Sequence, residues 1–189
     1  NIIHKVLEIL YGNYIGGLPN FQEMRNNMDA VLKDVIQENM KNRWIKTGIN
    51  KMNIQIIETL LSKYLALDEA FIKKQLEKGS TFEIVKIEEV LSRDFNFDIQ
   101  GERINVKLRG YADRIDKVND HLRIIDYKTG KVDKLNNVEI EKVFTDGSWS
   151  KALQLLMYQA MYDNFKNSDV EVGIVGFRDL SKYVQSLRL

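Results

Sequence analysis

Cysteine is missing from all 189 residues, and proline occurs once, at Pro19. The first absence excludes a disulfide framework, a zinc–thiolate centre and a cysteine-held iron–sulfur cluster. It also fits a cytoplasmic location. No apolar run is long enough to span a bilayer and no signal peptide is visible, so no membrane partner is expected. An excess of either charge is lacking too: 28 Lys and Arg stand against 27 Asp and Glu, a net charge of +1. A nucleic-acid partner would therefore be held by a local basic patch or by a metal, not by a strongly basic fold. What remains is an ordinary globular composition, 44% hydrophobic and 29% charged, with length enough for one domain and a sizeable core. The chain starts at Asn1 inside an apolar-periodic segment, without an initiator Met. It is expected to be a fragment of a larger protein.

Apolar periodicity predicts helices over 2–14, 21 to about 46, and 50 to about 76, with Gly16-Gly17-Leu18-Pro19 and Gly79-Ser80 as breaks. The texture then changes to strands over 81–90, 95–99, 103–118 and 122–127. A polar connection follows over 130–147, and Ser148 is expected to cap a helix running to about 165. Two further strands are expected over 170–177 and 183–189. Helices, strands, one helix, strands in that order predict a mixed α/β domain. Its helical part would cover about 1–78 and its sheet-bearing core about 79–189.

The stretch Gly110 to Gly130, GYADRIDKVNDHLRIIDYKTG, carries the chemistry. Asn119-Asp120 separates two strand-like runs and suits a two-residue hairpin turn. That turn sets a register with Val118 opposite His121, Asp116 opposite Arg123, and Asp113 opposite Asp126. Period two places Ile124, Asp126 and Lys128 on one face and Arg123, Ile125 and Tyr127 on the other. An Asp-x-Lys alone is most often a surface ion pair. Two carboxylates opposed across a β-ribbon repel each other, and folding alone gives no reason for them. A hard divalent cation such as Mg²⁺ does, because it is commonly held by one or two carboxylates.

These residues resemble a known family. Gly110-x-x-Asp113-Arg-Ile-Asp followed by Ile125-Asp126-Tyr127-Lys128-Thr129-Gly130 is similar to the paired motifs of RecB-type nucleases in the PD-(D/E)XK superfamily. Gln154-x-x-x-Tyr158 resembles the motif on that family's core helix, and His4 resembles its N-terminal helical histidine. The resemblance implies a restriction-endonuclease-like α-β-β-β-α-β core with a mixed central sheet and an N-terminal helical insertion. It implies catalysis by Asp113, Asp126 and Lys128, with Mg²⁺ or Mn²⁺ held by His4, Asp113, Asp126 and the Tyr127 backbone carbonyl. Relatives with a four-cysteine iron–sulfur cluster are not matched here, so no cluster is expected. The implied activity is DNA hydrolysis, as an exonuclease, in the nuclease module of an ATP-dependent helicase–nuclease that processes DNA ends for recombinational repair. No Gly-rich nucleotide loop is present, so the helicase region would lie elsewhere in the chain or complex. The alternative is a catalytically silent DNA-binding or scaffold domain that keeps the nuclease fold.

Other positions stay open at this level. Gln154 and Tyr158 share one helix face, either as a hydrogen bond within the core or as support for the site or a DNA phosphate. His4 taken alone is more often a packed histidine than a ligand, and Glu8 one turn on would back it or replace it. Glu88 and Glu89 are taken as solvated strand residues. Arg109, Arg114, Lys131 and Lys134 lie near the motifs and are within reach of phosphates, with ordinary surface charge as the default.

Overall fold

A computed structural model describes residues 1–39, 48–132, 135, 140–163 and 170–187. Helix α1 (Ile2–Gly12) opens the chain, capped by the Asn1 side chain, which accepts from the Ile3 N–H. It buries Ile3, Val6, Leu7, Leu10 and Tyr11 as one stripe. The loop that follows is stitched to the sheet: Gly16 N–H donates to the Ile84 carbonyl and Ile84 N–H to that of Gly17. Helices α2 (Phe21–Asn39) and α3 (Gly48–Glu77) form the insertion between α1 and the first strand.

Strands β1 (Phe82–Ile99), β2 (Glu102–Val118) and β3 (His121–Lys128) form an antiparallel meander. Helix α4 (Ile140–Thr145), a one-turn 3₁₀ segment (Gly147–Trp149) and helix α5 (Ser150–Asp163) lead to β4 (Val170–Gly176), which pairs parallel with β3. A two-residue β5 (Gln185–Ser186) pairs antiparallel with β4. The sheet order is β1-β2-β3-β4-β5. One face packs on α1–α3 through Ile84, Ile125, Tyr127, Val175 and Phe177. The other packs on α5 through Ile115, Ile124, Val172 and Ile174. The α1-β1-β2-β3-α5-β4 order is the restriction-endonuclease-like core, with α2 and α3 as its helical insertion. Among the described residues, no helix is long and apolar enough to cross a membrane.

Four expectations are corrected. The strands expected over 81–90 and 95–99 are one, because Ser92, Arg93 and Asp94 pair with Arg109, Leu108 and Lys107 in unbroken register. The cap before α5 is Asp146, whose carboxylate accepts from Ser148 N–H at 2.9 Å, and Ser148 itself sits inside the 3₁₀ turn. Among the described residues the closing strand is Gln185 and Ser186, which pair with β4, and the last two positions of the strand expected over 183–189 lie outside those residues. Arg114, expected on the surface, is fully buried between Asp68 of α3 and Asp116. It belongs to the face of β2 that meets the helices, where two carboxylates neutralise it. The far part of the second predicted helix (beyond 39), the end of the helix expected to reach 165, and Lys134 lie outside the described residues.

Candidate active site

The β2–β3 ribbon has the register expected from its turn, from Val118–His121 to Arg114–Ile125. Asn119 supports the turn at φ +54°, and its side chain accepts from Thr81 N–H at 2.8 Å. At the next rung the ladder opens. Asp113 does not pair backbone to backbone with Asp126. Its Oδ2 instead accepts the Tyr127 N–H at 2.5 Å, which leaves Oδ1 facing His4 Nδ1 at 3.2 Å. The Tyr127 phenol turns the other way, 3.1 Å from the Tyr64 hydroxyl. The carboxylate of Asp113 thus replaces a strand partner at the mouth of the ribbon.

Both strands change faces at this point. Ile87 and Arg114 look toward the helices, whereas Leu91 and Ala112 pack on the α5 side. Between them, Glu88 adopts φ +52°, a left-handed conformation that costs a side-chain-bearing residue roughly 1–2 kcal/mol. The result is a cluster: one donor atom from each of His4, Glu88 and Asp113 lies within 4.8 Å of the others. Glu88 was expected to be solvated. It is half-buried instead, and burial, with the Asp113 charge next, pushes its carboxyl up. Burial works to lower the His4 imidazole, but the Asp113 hydrogen bond and the charges of Asp113, Asp126 and Glu88 outweigh it and raise it. Glu8 is drawn away by Lys5, 2.8 Å distant.

Asp126 is on the α5 side of β3 and buried. Its Oδ1 accepts from Gln154 Nε2 and lies near the Tyr158 hydroxyl, both at 3.1 Å. That hydroxyl also accepts from Gln154 at 2.6 Å and reaches the Tyr111 carbonyl at 2.7 Å. Oδ2 has Lys128 Nζ as ionic partner at 2.7 Å but no aligned hydrogen-bond donor. Burial raises the Asp126 carboxyl, Lys128 pulls it back in part, and the Asp113 charge adds to the rise. His4, Glu88 and Asp113 are a donor set of hard oxygens plus imidazole, and Asp126, which lies outside that group, keeps its Oδ2 on Lys128. The set of three fits a divalent cation. The structure brings His4, Asp113 and Glu88 together and, on the α5 side, Asp126 with Lys128, Gln154 and Tyr158. The single face expected for Asp113 and Asp126 is not kept, because Asp113 turns toward His4 and takes the Tyr127 N–H.

The packing that holds Tyr158 is tight. A Cβ at Gly110 would meet Met161 Cε at 2.9 Å and Tyr158 Cε1 at 3.0 Å. Gly110→Ala is expected to cost about 1–3 kcal/mol by overpacking. Thermal melts check this, and any DNA-cutting activity should fall because the tyrosine that orients Asp126 is displaced. A recess of about 690 Å³ lies elsewhere, between the β1–β2 hairpin and α4–α5, and its lining (Phe95, Leu108, Phe144, Met157) carries no chemistry.

Comparison with known proteins agrees with this fold. The family profile of the PD-(D/E)XK nuclease superfamily matches residues 1–184. Protein NNF2 of Saccharomyces cerevisiae is 33% identical over 102 residues, a stretch covering 53% of this chain and 10% of that protein.

Proposed function

Because the chain belongs to the PD-(D/E)XK nuclease superfamily, we propose that it is a metal-dependent deoxyribonuclease with Asp113, Asp126 and Lys128 as its working set. The observation that carries this is the cluster of His4, Glu88 and Asp113 donor atoms at the open end of the ribbon, with Asp126 held beside it. His4, Asp113, Asp126 and the Tyr127 carbonyl are the proposed ligands, with Glu88 as an added carboxylate. Mg²⁺ or Mn²⁺ suits them. A cation held there supplies Lewis acidity to the phosphate and makes a water more acidic.

The chain's own groups do the rest. Gln154 and Tyr158 hold one oxygen of Asp126 and Lys128 the other, and such outer contacts typically matter tenfold or more in metal affinity. The Tyr127 amide does the same for Asp113. Lys128 is partly exposed at the mouth, where its ammonium orients the attacking water and offsets negative charge growing on the phosphate. The intact carboxylate pair with its lysine favours an enzyme over a silent scaffold. Cutting from DNA ends, as a RecB-type module joined to a helicase region in repair, is the biological setting proposed.

The protein is expected to degrade linear DNA with Mg²⁺, to spare a closed circle, and to stop on chelation. Lys128→Ala should lose about 10²–10³-fold in cleavage while keeping its Mn²⁺ affinity by calorimetry. Glu88→Gln should weaken that affinity about tenfold. If Lys128→Ala cuts as well as the parent, the assignment is wrong.

A further inference from the structure

Tyr111 is 52% exposed. It lies two residues before Asp113 on β2, hence about 7 Å from it along the strand. Its neighbours Gly110 and Ala112 pack on the α5 side, so the Tyr111 side chain projects from the opposite side, as Asp113 does toward His4. Val90, its partner across the ladder, is 44% exposed, and together they make a small apolar shelf.

Arg109 is the next residue on that side, with its guanidinium carbon 5.5 Å from the Tyr111 ring centroid. Further out, Lys107 and Arg103 stand opposite Asp94 and Asp98, but Arg109 stands opposite Ser92. Among the described residues, Arg109 has no ion-pair partner. An aromatic face and an uncompensated cation thus adjoin the acidic mouth in line with Asp113.

We propose that Tyr111 and Arg109 form the entry platform for an unpaired nucleic-acid strand, Tyr111 stacking on a base and Arg109 holding the adjoining phosphate. A duplex offers this shelf phosphates only, because its base faces are covered by their neighbours. A single strand offers the base faces that an exposed tyrosine can cover, and the neighbouring cation tracks its backbone. The substrate class is therefore a single strand or a frayed end. This rests on the nuclease reading, and the platform can fail while that reading stands.

The test is fluorescence anisotropy of a short labelled oligothymidylate and of a blunt duplex, with Ca²⁺ in place of Mg²⁺ so that nothing is cut. Tyr111→Ala should weaken oligothymidylate binding about tenfold, the usual loss for one stacked base, and leave the duplex as it was. Tyr111→Phe should retain the parent's affinity, since the ring and not the hydroxyl is used. Arg109→Ala should also weaken binding and reduce the salt slope by about 0.7. The platform is overturned if Tyr111→Ala binds oligothymidylate like the parent, if it loses strand and duplex alike, or if the phenylalanine variant is as weak as the alanine one. Mn²⁺ binding and Mg²⁺-dependent cleavage by the parent are measured alongside. If both are present while Tyr111→Ala behaves as the parent, only the platform falls. If neither is present, the nuclease reading falls and the platform with it.

Discussion

Asp126→Asn protein is expected to cut DNA about a thousandfold more slowly than the parent and yet, with no metal present, to melt at a higher temperature. The two effects share one cause. A thousandfold is about 4 kcal/mol of transition-state stabilisation, a plausible loss when a carboxylate that helps grip the cation becomes neutral. The same carboxylate is a burden on the metal-free fold. Burial raises its pKa from 3.8, against the pull of Lys128 and with the push of Asp113. The folded state therefore binds this proton more tightly than the unfolded chain does. The stability that proton brings is fully present below about pH 4, and it is lost as pH rises through the elevated folded value. Above that value the fold must hold an ion that is buried and has one oxygen lacking an aligned donor. Asparagine keeps an oxygen for Gln154 and Tyr158 and carries no charge. In a chain of this size each ~1 kcal/mol moves the melting temperature by about 2–4 °C, so the rise is measurable by calorimetry. Mn²⁺ should then raise the parent's melting temperature and leave the variant's nearly unchanged, because only a ligand that prefers the folded state shifts it. A variant stabilised by Mn²⁺ as much as the parent would remove Asp126 from the ligand set.

The β2–β3 ribbon was legible as far as the Arg114–Ile125 rung, because its physics is local; the common face expected for Asp113 and Asp126 was not, since Asp113 leaves the pleat toward His4. A two-residue turn at Asn119-Asp120 fixes the register, and period two assigns each side chain a face. The same counting was available one hairpin earlier. Gln100 and Gly101 both have positive φ, +55° and +84°, as a tight primed turn requires. Eleven rungs down from Ile99–Glu102 the ladder brings Glu88 opposite Asp113. Glu88 was missed because Ser92, Arg93 and Asp94 interrupt the apolar pattern and hid the fact that β1 is one strand. The face change at Glu88 was not legible by counting, since period two assumes an unbroken pleat. Nor was Arg114. Its local surroundings resemble those of a solvated strand residue, and the acid that buries it, Asp68, is 46 residues away on α3. Periodicity reports which face an element buries, not which distant carboxylate will meet it there.

Asp68→Ala is the substitution expected to cost the most stability, about 3–5 kcal/mol and on the order of 10 °C or more in melting temperature. Asp68 is fully buried. It accepts from the Tyr11 hydroxyl at 2.5 Å, from Arg114 Nη1 at 2.9 Å and Nη2 at 3.0 Å, and from the Tyr183 hydroxyl. One carboxylate thus joins α1, α3, β2 and the segment after β4. Removing it strands these donors in a core where water does not replace the acceptor. Arg114 would keep Asp116, 2.6 Å from its Nη2, but Asp116 is also shared with Arg123 at 3.3 Å, so two cations would rest on one acid. The cost should therefore depend on Arg114. Replacing both Asp68 and Arg114 by apolar residues is expected to destabilise by clearly less than the two single changes added together, because no guanidinium is left without its acid. If the effects simply add, the buried pair is not the source. The clamp also reaches the site. Tyr11 and His4 lie on the same helix, two turns apart, and Arg114 follows Asp113 directly in the chain. Loosening Asp68 lets α1 move against the ribbon, and His4 is then less well held over Asp113. Asp68→Ala should therefore weaken Mn²⁺ binding at temperatures where it is still folded, although it touches none of the proposed ligands.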